Sequence, residues 1–234
     1  MLLSTLVTAL GLASTAHAWG QLGHKTVANV ALQFLQPGVR DTLDAILASD
    51  GHNKLAKPSI VDVASWADGQ SPFQYHVDMT RDCQGPGGCV VTAIANYTNQ
   101  LIYPSRNVHE TAQALMFVVH FFGDITQPLH TGFLARGGNK IMIKWHGARK
   151  RLHGVWDTNM IDQLADKNGI YKDSIREWLS CTDINEAVAC ALQWAIDTNR
   201  LICNYVITPD LKGKELSDVY YRGASSIIQQ QIAK

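Results

Sequence analysis

An all-α chain forming a single mainly helical domain, with one short β-hairpin, is predicted here, and three observations predict it. Most long stretches space their apolar residues three and four apart, which is the helical period. Lys140-Ile141-Met142-Ile143-Lys144-Trp145 alternates as a strand does and is followed by His146-Gly147, a turn. Of the 234 residues 46% are hydrophobic, enough for one domain with a sizeable core. Basic and acidic residues balance at 20 each, so no global basic field draws in nucleic acid or a membrane surface. Any attraction for a polyanion must be local, and bound metal would supply it.

Taken in order, residues 2–13 are an apolar run too short to span a bilayer, and Ala16-His17-Ala18 reads as a small-x-small cleavage site. A secretory signal over 1–18 is therefore expected, leaving a domain over 19–234 in a secreted, soluble protein that does not associate with membranes. Five cysteines suit an oxidising compartment, and Cys83 and Cys89 flank a glycine-rich loop easily closed by a disulfide. Asn96-Tyr97-Thr98 is a glycosylation sequon, consistent with export.

The mature chain would open at Trp19, whose free amine and carbonyl are able to chelate a metal together with His24. Apolar spacing at 27, 30, 31, 34 and 35 predicts a helix over 25–35, stopped by Pro37-Gly38. Further helices are predicted over 39–48 and over 60–67, the second ending at Asp68. Eight residues later comes His76, then Asp78. Asp68 and His76 are candidate ligands. A helix over 90–102 precedes the central one.

That central helix runs through Thr111 to Val119 into His120-Phe121-Phe122-Gly123-Asp124-Ile125-Thr126-Gln127-Pro128-Leu129-His130. His120 and Asp124, four apart, share a helical face. Pro128 ends or kinks the helix and carries His130 beneath them, so that all three converge. A carboxylate and two imidazoles in so apolar a setting are costly to bury unless paired or bound to a cation.

Beyond the hairpin strand, Arg149-Lys150-Arg151 is a compact basic run that reads as a solvated turn beside the chemistry. His153 and Asp157 then repeat the four-residue spacing, and two such pairs are far more specific than one. Segments 172–179, 185–207 and 215–232 read as mostly helical, with Trp178, Trp194, Tyr205, Tyr220 and Tyr221 as core aromatics. His24, His76, His120, His130, His153, Asp68, Asp124, Asp157 and the Trp19 terminus make a nitrogen and oxygen donor set without thiolate. Such a set suits zinc in open catalytic sites. The donors exceed what one ion needs, so several ions are implied, and a carboxylate such as Asp124 is able to bridge two. Paired metals stabilise the attacking and leaving oxygens of a phosphoryl transfer.

Trp19 with Gly23-His24, Trp66-Ala67-Asp68, the His120 to His130 run, Gly137-Gly138-Asn139 and Leu152-His153-x-Val155-Trp156-Asp157-Thr158 together resemble the secreted S1/P1 nucleases. The resemblance covers nearly the whole mature chain. It implies the helical phospholipase C/P1 nuclease fold, three Zn2+ ions, and hydrolysis of single-stranded DNA and RNA to 5'-phosphate ends, with removal of 3'-phosphates from nucleotides. The enzyme would act as a monomer. By resemblance, Asp68, His76, His120 and Asp124 hold the first zinc, and Trp19, His24 and Asp124 the second. His130, His153 and Asp157 hold a third, which binds phosphate and stabilises the leaving oxygen. Asp68 would also orient the attacking water, and Asp78 and Asn139 would contact substrate. The Cys83 to Cys89 bridge and glycosylated Asn96 match as well.

This chain departs from that pattern on the working face. Ser71 stands where relatives carry an arginine or lysine, the Asp68 to His76 connector is short, Val77 replaces a base-stacking aromatic, and Arg151 replaces an asparagine. Cys203 matches a family cysteine whose partner would lie in the shortened region, and Cys181 with Cys190 is a candidate second pair. Two alternatives follow. A zinc phospholipase C shares the fold and the N-terminal Trp ligand but usually has Glu where Asp157 stands; a zinc-binding protein whose short connector has cost it turnover keeps every ligand.

Overall fold

Helical periodicity is realised along nearly the whole of the computed structural model, which describes residues 19–51, 55, 57–69, 83–84, 88–165 and 186–234. The helices are α1 (Gln21–Leu32), α2 (Pro37–Ser49), α3 (Ile60–Val63), α4 (Val90–Ile102), α5 (Val108–Thr126), α6 (Leu152–Gly154), α7 (Met160–Ala165), α8 (Ala187–Leu201) and α9 (Val219–Ile232). Strands β1 (Met142–Trp145) and β2 (Ala148–Arg151) pair antiparallel, Lys144 opposite Arg149. The predicted mainly helical class with one hairpin is what the chain adopts.

Several boundaries differ for identifiable reasons. Pro37 does not stop a helix running from 25 to 35; α1 ends at Leu32 and Pro37 opens α2, in the first turn, where its missing amide hydrogen is not needed. The helix predicted over 60–67 lasts one turn, with Asp62 capping it back onto Ser59, and the chain re-forms as a 3-10 turn over Trp66–Gly69. Arg149-Lys150-Arg151 is a strand rather than a turn. Glu215 is not helical: Lys144 N donates to Lys214 O at 2.7 Å and Leu216 N to Lys144 O at 3.0 Å, so 214–216 lie along β1 and α9 starts only at Val219.

Helix α5 is the central support. Asn107 accepts from His109 N at its start, and Gln127, made extended by the proline after it, closes its end. Leu115 and Met116 of α5 pack with Ala28, Leu47, Ile60 and Val63 from α1, α2 and α3. Phe121 and Ile125 pack with Val90, Ile94, Ala191 and Ala195 from α4 and α8. Leu129, just past it, enters a third core with Trp19, Trp145, Trp156, Met160 and Ile228. Each buried Leu, Ile or Phe contributes about 1.5–3 kcal/mol, so the polar ligands on α5 are held by three cores at once.

Cys83 and Cys89 are joined by a disulfide, Cys190 is also disulfide-bonded, and Cys203 is free and exposed. Asn96 is exposed on α4. Among the described residues no helix is long and apolar enough to cross a membrane. Trp178, Cys181 and the segment 172–179 lie outside the described residues.

Candidate metal centre

Two groups of side chains converge, and both are assembled from the α5 end and its neighbours. In the first, donor atoms of His24, Asp68 and His120 lie within 4.8 Å of one another. Asp124 joins them from α5: its Oδ1 is 3.3 Å from His24 Nε2 and its Oδ2 3.3 Å from His120 Nε2. Asp68 Oδ1 is 3.7 Å from His120 Nε2. Asp124 thus offers one oxygen to each imidazole, as a bridging carboxylate does.

The second group is His130, His153 and Asp157. The two Nε2 atoms are 3.1 Å apart, and Asp157 reaches His153 Nε2 at 3.2 Å and His130 Nε2 at 3.7 Å. Pro128 ends α5, and the 3-10 turn over Pro128–His130 gathers His130 with His153 and Asp157, while the charges of Asp124, His24 and His120 still act on its ring.

Local structure fixes these positions. His24 sits in the first turn of α1 with its ring against Gly123; a Cβ there would lie 2.5 Å from His24 Nδ1. Trp19 is fully buried, its indole donating to Thr126 Oγ1 at 2.9 Å, which pins the start of the described chain to α5. Asp157 does not lie on a continuous α-helix as expected; the chain widens into a π turn over Val155–Asn159 after α6. Such π insertions are frequent at functional sites. Gly137, with a left-handed φ of 58°, presents its carbonyl to His153.

Two backbone carbonyls set the tautomers. His120 Nδ1 donates to Ala64 O at 3.0 Å and His153 Nδ1 to Gly137 O at 2.6 Å, leaving each Nε2 lone pair directed at its carboxylate partners when the ring is neutral. This is the arrangement by which metal-ligating histidines are usually held. Gln127, fully buried, donates to Asp157 Oδ1 at 2.5 Å and accepts from Leu129 N at 2.6 Å.

The charges are unbalanced for a metal-free core. Burial pulls the His120 imidazolium toward neutrality, but Asp124 and Asp68 outweigh it and raise its pKa to about 9. Burial pushes the Asp124 carboxyl up, and the His120 charge overcomes this and holds it well below the usual range. Burial and the His153 charge together push His130 well down. Burial also raises Asp157 well above a normal carboxyl, against the Gln127 hydrogen bond. Burial lowers His24, with Asp124 opposing. Among the described residues neither ring nitrogen of the buried His24 has a well-formed hydrogen bond, its Nε2 having only the 3.3 Å contact with Asp124 Oδ1. A poorly satisfied buried imidazole costs about 1–3 kcal/mol, so these donors fit a bound cation better than they fit each other.

Of the remaining residues singled out in the sequence, His76 and Asp78 lie outside the described ones. Asn139 is half-buried, its amide donating to Arg136 O at 3.1 Å. His109 pairs with Asp50 at 2.9 Å and His146 meets Gln163 at 2.9 Å, away from both groups. Gln127, Gly123, Thr126 and the two carbonyls were not apparent from ligand spacing; only the position of Gln127, next to Pro128 and between the two ligand sets, hinted at its role.

The model of the S1/P1 Nuclease family matches residues 19–234. This chain belongs to that family. It is 34% identical to Nuclease S1 of Aspergillus oryzae over 274 aligned residues, covering 100% of this chain and 93% of that protein. Nuclease P1 of Penicillium citrinum is 34% identical over 92% of this chain and 93% of its own. Endonuclease 3 of Arabidopsis thaliana is 29% identical over 95% and 87%. The S1/P1 chain is thus a hydrolytic nuclease, of a metal-dependent family, and its two groups of His and Asp side chains are able to bind metal.

Proposed function

We propose that this S1/P1 chain is a secreted, monomeric zinc enzyme whose domain spans 19–234 after removal of a signal over 1–18. It hydrolyses single-stranded DNA and RNA to 5'-phosphate products and removes 3'-phosphates from nucleotides. The observation that carries the reading is the pair of buried ligand groups, each with an imidazole whose tautomer a backbone carbonyl sets. Asp68, His76, His120 and Asp124 would hold one zinc, Trp19, His24 and Asp124 a second, and His130, His153 and Asp157 a third. Bound zinc supplies Lewis acidity that activates water and neutralises phosphate charge.

The chain's own residues do the rest. Asp68 is the least buried member of the first group and would orient the attacking water. Asp124, fully buried on a rigid helix, keeps His24 and His120 in register. Gln127 holds Asp157 and, through the Leu129 amide, the turn that carries His130. Asn139 and Asp78 would contact substrate, and exposed Asn96 would carry a glycan.

The test is hydrolysis of denatured DNA. Chelator is expected to abolish it and zinc to restore it; hydrolysis indifferent to chelator would reject the mechanism. Full zinc occupancy with no hydrolysis would instead support a binding protein without turnover. Cleavage of choline phospholipid in place of DNA would favour a phospholipase.

A further inference from the structure

The stretch from Thr131 to Trp156 holds six cations, Arg136, Lys140, Lys144, Arg149, Lys150 and Arg151, and no acidic residue. In a chain balanced at 20 basic and 20 acidic residues this is a pronounced local excess. The hairpin register sorts it by face. Ile143, Trp145 and Lys150 point toward the core side, while Lys144, Arg149 and Arg151 lie on the opposite face and are exposed. Lys144 stands directly opposite Arg149. Like charges so placed destabilise a sheet pair, and among the described residues no carboxylate comes within ion-pair distance of either. Glu215 is nearby, but its carboxylate is occupied with the turn, accepting from His146 N at 3.0 Å, Gly147 N at 2.8 Å and Ser217 Oγ at 2.7 Å.

The hairpin ends next to the second ligand group in the chain, since Arg151 leads directly through Leu152 to His153. Residues two apart on a strand are about 7 Å apart, so Arg149 and Arg151 extend as a row leading away from the site. We propose that the exposed face of the hairpin, Lys144 and Arg149 above all, is an electrostatic track for the phosphodiester backbone of a single strand beyond the phosphate being cut. It rests on the nuclease reading and adds to it the expectation that long strands bind better than short ones. Phosphate contacts of this kind position the strand and read no sequence.

The double variant Lys144→Gln/Arg149→Gln tests it in the zinc-loaded protein, with a thymidylate dinucleotide and a 30-nucleotide thymidylate. Stopped-flow anisotropy reads binding before cutting, and KM is measured alongside. The advantage of the 30-mer over the dinucleotide is expected to fall on the order of tenfold at 0.1 M salt, and the log–log salt slope for the 30-mer to flatten by about 1.4, roughly 0.7 per lost phosphate contact. Lys144→Arg/Arg149→Lys is expected to keep both. An unchanged length advantage, or an equal loss with both lengths, would overturn the proposal. So would loss of binding to anionic phospholipid vesicles while the 30-mer affinity stays. A wild-type protein that binds the 30-mer with the steeper slope but cuts nothing would support the track and overturn only the nuclease reading.

Discussion

His24 and His120 stack with ring centroids 4.2 Å apart and 18° between their planes, although one comes from the first helix and the other from the fifth. Gly123 permits this approach, because any side chain there meets His24 Nδ1. Gly123→Ala is expected to push His24 off its position, weaken metal binding roughly 10- to 100-fold and lower activity in step. Zinc titration of the variant by calorimetry checks it; wild-type affinity would show that His24 binds no ion.

Gln127 is buried with both ends of its amide used. Gln127→Ala strands the Leu129 amide and removes the amide hydrogen bond to Asp157 Oδ1, at a cost of about 2–3 kcal/mol. In a chain of this size that is a fall in Tm of roughly 4–12 °C. Thermal melts with zinc removed measure the packing cost alone, and melts with zinc present should show a larger gap between the two proteins.

Trp19 is proposed to bind metal through its own amine, and its buried indole fixes where that amine would lie. A protein carrying one extra residue before Trp19 is expected to lose one zinc and most of its activity. Equal activity in that variant would remove the terminus from the ligand set.

Glu215 ties the hairpin turn to the segment before α9, and the Ser217 hydroxyl, followed by the turn amides, lowers its pKa from 4.5 to about 2. A carboxylate with a depressed folded-state pKa adds stability above its unfolded value, and that contribution is lost as pH falls through the folded value. Glu215→Gln is therefore expected to be less stable than wild type at pH 7, with the difference narrowing below about pH 4.5 and closing near pH 2. Urea midpoints at pH 7 and pH 3 measure it.

Much of this was legible in the sequence because ligand spacing and helical period are the same signal. His120 and Asp124 lie on one face of α5, and they do so because the apolar residues around them demand a helix. The grouping of His130 was legible through the family resemblance but not through spacing: Pro128 announces a change of direction but not its sense, which the Gln127 amide settles by capping the turn. The π turn at Asp157 was hidden because it depends on the core around Trp156, whose partners are distant in sequence. The strand at Arg149 to Arg151 was hidden for another reason: its consecutive basic residues show no apolar alternation, although its partner strand is its neighbour in the chain.

Zinc content, together with anomalous scattering from crystals of the protein beginning at Trp19, tests the central claim most directly. Three zinc ions per chain are expected, with the scattering peaks at the His24, Asp68, His120 and Asp124 group and at the His130, His153 and Asp157 group, and with hydrolysis of denatured DNA lost as they are stripped. Peaks away from these side chains, or full hydrolysis by protein without metal, would contradict it.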